Sequence, residues 1–332
     1  MLKVLANLPD TEAIAPGESG SRPIADYLRE MLPSGLRDRI DLAIVGSEEE
    51  ARGEIGEAEV YFGSLTPALL RRASKLRWVQ HTGASQERHL FPELIASDVI
   101  LTNVAGIYSE AIADHAYALI LALTRQIPRF TRNQARHYWE PGIGPKVGML
   151  SGKTLGVIGL GSIGGEVARR GPAFGMRVVA TRAHPERAKP DYVDQVWGPD
   201  GLDHLLTESD VVVICTPETP RTRQMIGARE LALLKPTAYL INVGRGAIVS
   251  LDALVDALRR GVLAGAGLDV FEVEPLPPEH DLWELDNVVI TPHMASEGEI
   301  YKVRRVEVFL DNLSRYLEGR PLVNVVDKAD WH

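Results

Sequence analysis

The chain has 332 residues, a formal net charge of −9, 24% charged and 45% hydrophobic residues, and a single cysteine. That length suits two packed cores of ordinary size, and the acidic balance argues against nucleic acid or an anionic membrane as principal partner, because both need a basic surface. No run of ~18 apolar residues is present, the opening residues reach Pro9 and Asp10 too soon for a signal peptide, and lone Cys215, directly after the apolar run 211–214, cannot form an internal disulfide. A cytoplasmic protein without a metal site is expected.

Residues 3–8, 41–45, 60–63, 78–80 and 99–103 are short apolar runs separated by polar, helix-compatible stretches, the pattern of parallel strands joined by crossover helices. Ser109 reads as an N-cap, followed by Glu110 and Asp114 in the first turns, a largely apolar helix over 112–123, and Pro128 closing it. Residues 116–123 are apolar on every face, so this helix must be buried all round, either between two domains of one chain or against a second subunit. From Gly152 a clearer series begins. Residues 154–159, 177–181, 211–216, 238–243, 265–270 and 288–291 read as near-continuous apolar strands, with helices over 163–173 and 252–260. Strands buried on both faces look like this in doubly wound parallel sheets. The last long element, 300–317, is too short for a domain and is expected to pack back on one of the others.

The segment from Leu155 to Gly164 places Gly159, Gly161 and Gly164 in a G-x-G-x-x-G turn directly after an apolar strand and at the start of a helix. Such a turn brings backbone amides, here those around Ser162 and Ile163, against a pyrophosphate. A site selective for NAD usually has an acid ~20 residues on, at the end of the second strand. Here that strand ends in Thr181 and Arg182, and the first acid afterwards is Glu186. Arg182, helped by Arg187 or Lys189, suits a 2′-phosphate, so NADPH is the favoured cofactor. The alternative is a solvated Arg182 with NADH binding unselected.

Reduction of a 2-oxo acid needs a cation for the carboxylate and carbonyl oxygen, a proton donor for the nascent alkoxide, and a group that keeps the donor protonated. Arg245 lies between glycines at the end of one apolar strand, where ligands sit in open parallel sheets, and its planar fork can hold two oxygens. Glu274 follows the next strand and His293 the one after, so both leave the same sheet edge and can meet. A carboxylate beside an imidazole favours its protonated form.

These segments together resemble the D-isomer-specific 2-hydroxyacid dehydrogenases, the family of glyoxylate and hydroxypyruvate reductases, phosphoglycerate dehydrogenase and formate dehydrogenase. The resemblance is dense over 103–296 and rests on Ser151-Gly152-Lys153-Thr154-Leu155 leading into the glycine turn, Thr216-Pro217-Glu218-Thr219, residues 242–246, residues 269–275, and Pro292-His293. It implies an α/β fold of two doubly wound parallel-sheet domains, a flavodoxin-like substrate domain over 1–102 and a Rossmann cofactor domain over 103–296, with an interdomain cleft. Residues 297–332 would return to the substrate domain. It also implies a homodimer built on the helix after Ser109. By the same resemblance Arg245 binds the substrate, His293 is the acid/base and Glu274 polarises it. Cys215, Thr216 and Pro217 line the adenosine side, Asp269 contacts the nicotinamide amide, and Val243, Gly244 and Ala295 complete the cofactor site. Backbone amides around Gly83 and Ala84 hold the substrate carboxylate.

Formate dehydrogenases of this type have glutamine where Glu274 stands, which disfavours formate, and an added regulatory domain like that of many phosphoglycerate dehydrogenases is not expected. Where the family often has Gly-Val-Asp after its carboxylate-binding Ala-Gly, this chain reads His81 to Glu87 as HTGASQE, so the substrate side chain stays open. A different class of function is a redox-sensing regulator like the C-terminal-binding corepressors, which resemble this family. The three catalytic residue types favour the enzyme.

Overall fold

The structure, a computed structural model, describes residues 1–9, 13–17, 20–84, 90–142, 147–298 and 301–328, of which 13–17, 20 and 21 by backbone alone. Ser85, Gln86 and Glu87 of the HTGASQE segment lie outside the described residues. The chain divides into two compact units, Met1–Ile107 with Gly298–His332, and Tyr108–Glu297. The first division falls after Ile107 rather than at 102/103. Asn103 N donates to Asn324 O at 3.1 Å, and the Ile107 carbonyl accepts from Arg304 Nη1 at 3.2 Å, which keeps 103–107 with the first unit.

The first unit contains strands β1 (Leu2–Asn7), β2 (Ala13–Gly17), β3 (Gly20–Pro23), β4 (Ile40–Val45), β5 (Val60–Phe62), β6 (Trp78–Gln80) and β7 (Ile100–Thr102). Its parallel sheet runs β4-β1-β5-β6-β7, while β2 and β3 form a separate antiparallel pair that the pattern of apolar runs does not predict. Alternate residues supply two cores, as the period of a strand requires. Val4, Ala6, Val60, Phe62 and Trp78 face one side, whereas Leu5, Tyr61 and Val79 face the other. The helix Tyr301–Glu318 joins the first of these cores through Val306, Phe309, Leu310 and Leu313, the spacing of a single helix face. Phe309 stacks on Phe62 with ring centroids 4.3 Å apart.

One polar residue interrupts that face. Buried Asn312 donates from Nδ2 to Gln80 Oε1 at 2.9 Å, Thr102 Oγ1 donates to the same oxygen at 2.9 Å, and Gln80 Nε2 donates to the Asn103 carbonyl at 2.9 Å. The chain of bonds ends at the 81–84 turn, where the Gly83 carbonyl accepts from Val104 N and the Ala84 carbonyl from Asn103 Nδ2.

The second unit has strands β8 (Thr154–Ile158), β9 (Arg177–Thr181), β10 (Gln195–Trp197), β11 (Val211–Ile214), β12 (Tyr239–Asn242), β13 (Gly265–Leu268) and β14 (Val288–Ile290) in the order β10-β9-β8-β11-β12-β13-β14, all parallel. The order reverses between β8 and β11, the switch point at which open parallel sheets bind ligands. Strand β10 escaped the sequence reading because it is a three-residue edge strand with no apolar run. The helix Ser109–Thr124 packs on this sheet through Ala113, Ala116, Leu119 and Ile120. Its N-cap is Tyr108 rather than Ser109, whose buried hydroxyl begins the helix without a hydrogen-bond partner. Pro128 does not close it either; it sits in the first turn of the next helix, Ile127–Ala135, where a missing N–H costs nothing. Nor is the helix covered all round within this chain, since Ala118 is exposed and Leu121 and Ala122 are half-buried.

Among the described residues no helix is long and apolar enough to cross a membrane, and no group of three or more His, Cys, Asp or Glu side chains is placed to hold a metal ion. Replacing Phe309 by alanine should destabilise the first unit by roughly 3–5 kcal/mol, the cost of emptying a packed aromatic site. Urea denaturation checks this; an unchanged midpoint would remove the C-terminal helix from that core.

Candidate active site

In the sheet of the second unit, Thr181, Ile158, Ile214, Asn242, Leu268 and Ile290 stand in one hydrogen-bonded row across six strands. The residues that follow therefore emerge together at the carboxyl edge: Arg182, Gly159, Cys215, Val243, Asp269 and Thr291. All but Thr291 were singled out from sequence.

At β8 the chain turns through Gly159, with φ +96°, into the nine-residue helix Ser162–Arg170. A Cβ on Gly164 would fall 2.0 Å from the Gly159 carbonyl oxygen, so only glycine lets helix and turn close on each other. Gly161 and Ser162 are exposed, with open space at Gly161, which leaves the positive end of the helix accessible to an anion. The Thr181 carbonyl accepts from both Gly159 N and Leu160 N, tying the second strand to this turn. These features fit a dinucleotide.

Arg182 behaves differently from the free cation expected. Its guanidinium donates to the carbonyls of Pro185, Arg187 and Ala188 and so orders its own loop, while its Nε is buried without a hydrogen-bond partner. Glu186, the first acid after the strand, faces His184 at 3.3 Å. Burial pushes the Cys215 thiol up to about 12, so it stays protonated and is no nucleophile at neutral pH.

The turn after β12 is stapled by Asn242, whose Oδ1 accepts from Gly244 N at 3.1 Å and whose Nδ2 donates to the Arg245 carbonyl at 3.0 Å. Arg245 Nη1 donates to the Gly244 carbonyl at 2.8 Å. Gly246 lies so close to the loop after β13 that a Cβ would come within 1.9 Å of the Phe271 carbonyl carbon. That loop carries Glu274, whose Oε1 accepts from Phe271 N at 2.9 Å and whose Oε2 lies 2.7 Å from His293 Nδ1. A carboxylate so placed holds the hydrogen on Nδ1 and leaves Nε2 of a half-exposed imidazole to give or take a proton.

His293 adopts φ +52°, a backbone region that costs a non-glycine residue about 1 kcal/mol. Its turn is held by Asp269, which is 1% exposed. Asp269 Oδ1 accepts from Thr291 Oγ1 at 2.6 Å and Met294 N at 3.0 Å, Oδ2 accepts from Ala295 N at 2.9 Å, and its main-chain oxygen accepts from His293 N at 2.8 Å. Burial pushes this carboxyl up, but the donors around it, His115 and Thr291 first, outweigh that and hold it below the usual carboxylate range. Sequence reasoning missed His115 and Thr291; the available signal was one imidazole within an apolar helix. Gly83 and Ala84 lie in the first unit, in the turn tied to Asn103 and Val104.

Residues 117–295 match the family model described as D-isomer specific 2-hydroxyacid dehydrogenase, NAD binding domain. The chain belongs to the D-isomer-specific 2-hydroxyacid dehydrogenases. It is 38% identical over 286 residues to a glyoxylate reductase of Aeropyrum pernix, covering 82% of this chain and 84% of that one. Among solved structures, a D-isomer specific 2-hydroxyacid dehydrogenase from Xanthobacter autotrophicus Py2 in complex with NADPH and MES is 29% identical, covers 100% of this chain and 99% of that chain, and gives a TM-score of 0.79. An NADPH-dependent glyoxylate/hydroxypyruvate reductase from Sinorhizobium meliloti in complex with NADP and sulfate is 25% identical, covers 100% of both chains and gives a TM-score of 0.80. This dehydrogenase is thus an NAD(P)-dependent oxidoreductase that acts on 2-oxo acids.

Proposed function

We propose that this dehydrogenase reduces glyoxylate, hydroxypyruvate or a related small 2-oxo acid to the D-2-hydroxy acid, preferring NADPH and accepting NADH. The observation that carries the reading is the Glu274–His293 pair, 2.7 Å apart at the same sheet edge as the dinucleotide turn. The Aeropyrum and Sinorhizobium relatives support the choice of small substrates, and the latter supports NADPH.

The dinucleotide would be held by Gly159, Gly161, Ser162, Ile163 and Gly164 at the pyrophosphate, by Thr181, Arg182, Cys215, Thr216 and Pro217 on the adenosine side, and by Val243, Gly244, Asp269 and Ala295 toward the nicotinamide. The lack of an acid after Thr181 removes what would repel a 2′-phosphate, and the loop that Arg182 orders supplies Arg187 and Lys189. When bound, the reduced nicotinamide supplies a hydride to the carbonyl carbon. Arg245 holds the substrate carboxylate and carbonyl oxygen. His293 Nε2 gives its proton to the carbonyl oxygen as charge develops there, and Glu274 stabilises the imidazolium beforehand. Half-exposed His293 then regains a proton from water.

The active form is proposed to be a cytoplasmic homodimer built on the helix Ser109–Thr124 and the segment after it. Trp139 is 90% exposed, Met149 68%, Tyr138 56% and Ile127 51%, a concentration of large apolar side chains that a second copy would cover.

Oxidation of NADPH and NADH followed by absorbance with glyoxylate, hydroxypyruvate, pyruvate and phenylpyruvate tests the reading. Turnover of the two smallest hydroxylated or unsubstituted acids with NADPH is expected, whereas silence with both cofactors would overturn it. Arg182→Ala should weaken NADPH by about 10-fold or more and spare NADH; equal losses would place the 2′-phosphate elsewhere. Glu274→Gln should lower kcat roughly 10²-fold, because His293 loses the carboxylate that orients its ring and holds the hydrogen on Nδ1. Wild-type kcat in the folded variant would sink the pairing. Light scattering should return twice the chain mass, and Trp139→Glu should return the mass of one chain.

A further inference from the structure

The helix Ser109–Thr124 is largely apolar where it packs on the sheet, but one of its polar residues reaches the strand ends. His115, whose side chain is 16% exposed, places Nε2 2.9 Å from Thr291 Oγ1 and 3.4 Å from Asp269 Oδ1. Thr291 Oγ1 spends its single hydrogen on Asp269 Oδ1 at 2.6 Å. It must therefore accept from His115, and the His115 ring carries a hydrogen on Nε2. The direction of the whole chain of bonds follows: His115 to Thr291 to Asp269.

The main-chain amides of residues 293–295 converge on the same two residues. His293 N donates to the main-chain oxygens of Asp269 and Thr291, at 2.8 and 3.0 Å, and the amides of Met294 and Ala295 donate to the Asp269 carboxylate. The left-handed backbone at His293 is thus maintained by Asp269 and Thr291 together. Both lie on the sheet's own strand ends; His115 reaches them from a different layer, the helix packed across β12, β13 and β14. Losing it would leave half-buried Thr291 Oγ1 short of a donor and free its rotamer, and the carboxylate it steadies would shift with it.

We propose that His115 is a positioning residue for the proton transfer: through Thr291 and Asp269 it holds the turn in the form that sets His293 Nδ1 on Glu274. His115 itself does not reach the reacting atoms by this route. The inference rests on the reading of His293 as the proton donor, and deepens it by naming what holds that donor in place.

Steady-state kinetics of the full chain with NADPH and glyoxylate, for His115→Leu, His115→Gln and Thr291→Val, test the proposal. The Leu variant removes the donor, while Gln can return an amide N–H near the position of Nε2. Expected for His115→Leu is a fall in kcat of roughly 10- to 100-fold, the scale of an ångström-sized misplacement, with the NADPH dissociation constant little changed and a larger solvent deuterium isotope effect on kcat, because proton transfer has become slower. His115→Gln should recover most of the loss. Thr291→Val, which cuts the same link from its other end, should repeat the Leu phenotype, and decides the matter if the Leu variant does not fold. Wild-type kcat and isotope effect in folded His115→Leu or Thr291→Val would overturn the proposal, as would a Gln variant no better than Leu. His293→Asn separates the two levels: retained activity there overturns the reading of His293, whereas its inactivity beside a normal His115→Leu overturns only the positioning role.

Discussion

The parallel register of the seven-stranded sheet is the constraint from which the site follows. Because Thr181, Ile158, Ile214, Asn242, Leu268 and Ile290 pair in one row, residues as far apart in the chain as Ile158 and Ile290 leave the sheet in line with one another. A slip of one residue in any strand would exchange its two faces and carry its loop out of line. Val211–Ile214 is buried at every position, so such a slip gains no burial, but it would break the row. Precision at the edge is thus purchased by the sheet interior rather than by the loops themselves.

The loops then need holding against solvent, and each is held by a polar group that the interior can satisfy. Asn242 staples the Arg245 turn, Glu274 takes a main-chain amide with one oxygen and His293 with the other, and Asp269 gathers the turn that carries His293. A buried carboxylate is costly unless its lone pairs are filled. Here they are filled by the very amides whose positions matter, so desolvation and geometry are solved by the same bonds. The first unit uses the same device in neutral form, with Asn312, Gln80 and Thr102 joining the C-terminal helix to the 81–84 turn.

Arg182 shows that residue type and position do not by themselves list a side chain's partners. Its position at the strand end and the lack of a neighbouring acid are plain in the sequence, but the carbonyls of its own loop were equally available partners, and the guanidinium takes them. The same holds for Ser109. Its type suits an N-cap, yet the helix begins one residue earlier and buries the hydroxyl, since packing against the sheet outweighs the roughly 1 kcal/mol a cap contributes.

By itself the sequence determined what depends on local pattern: near-continuous apolar runs mark strands buried on both faces, the spacing of Gly159, Gly161 and Gly164 marks a phosphate turn, and the order of motifs from Gly152 to His293 marks the family. Elements without an apolar run, such as β3 and β10, left no such mark, because edge ladders are made by backbone groups common to all residues. Only the tertiary structure decided that Glu274 lies 2.7 Å from His293 and that His115 reaches Thr291 across layers. Those contacts join residues 19 and 176 positions apart, and no periodicity along a chain encodes a hydrogen bond whose two ends are brought together by the register of a sheet and the packing of a helix upon it.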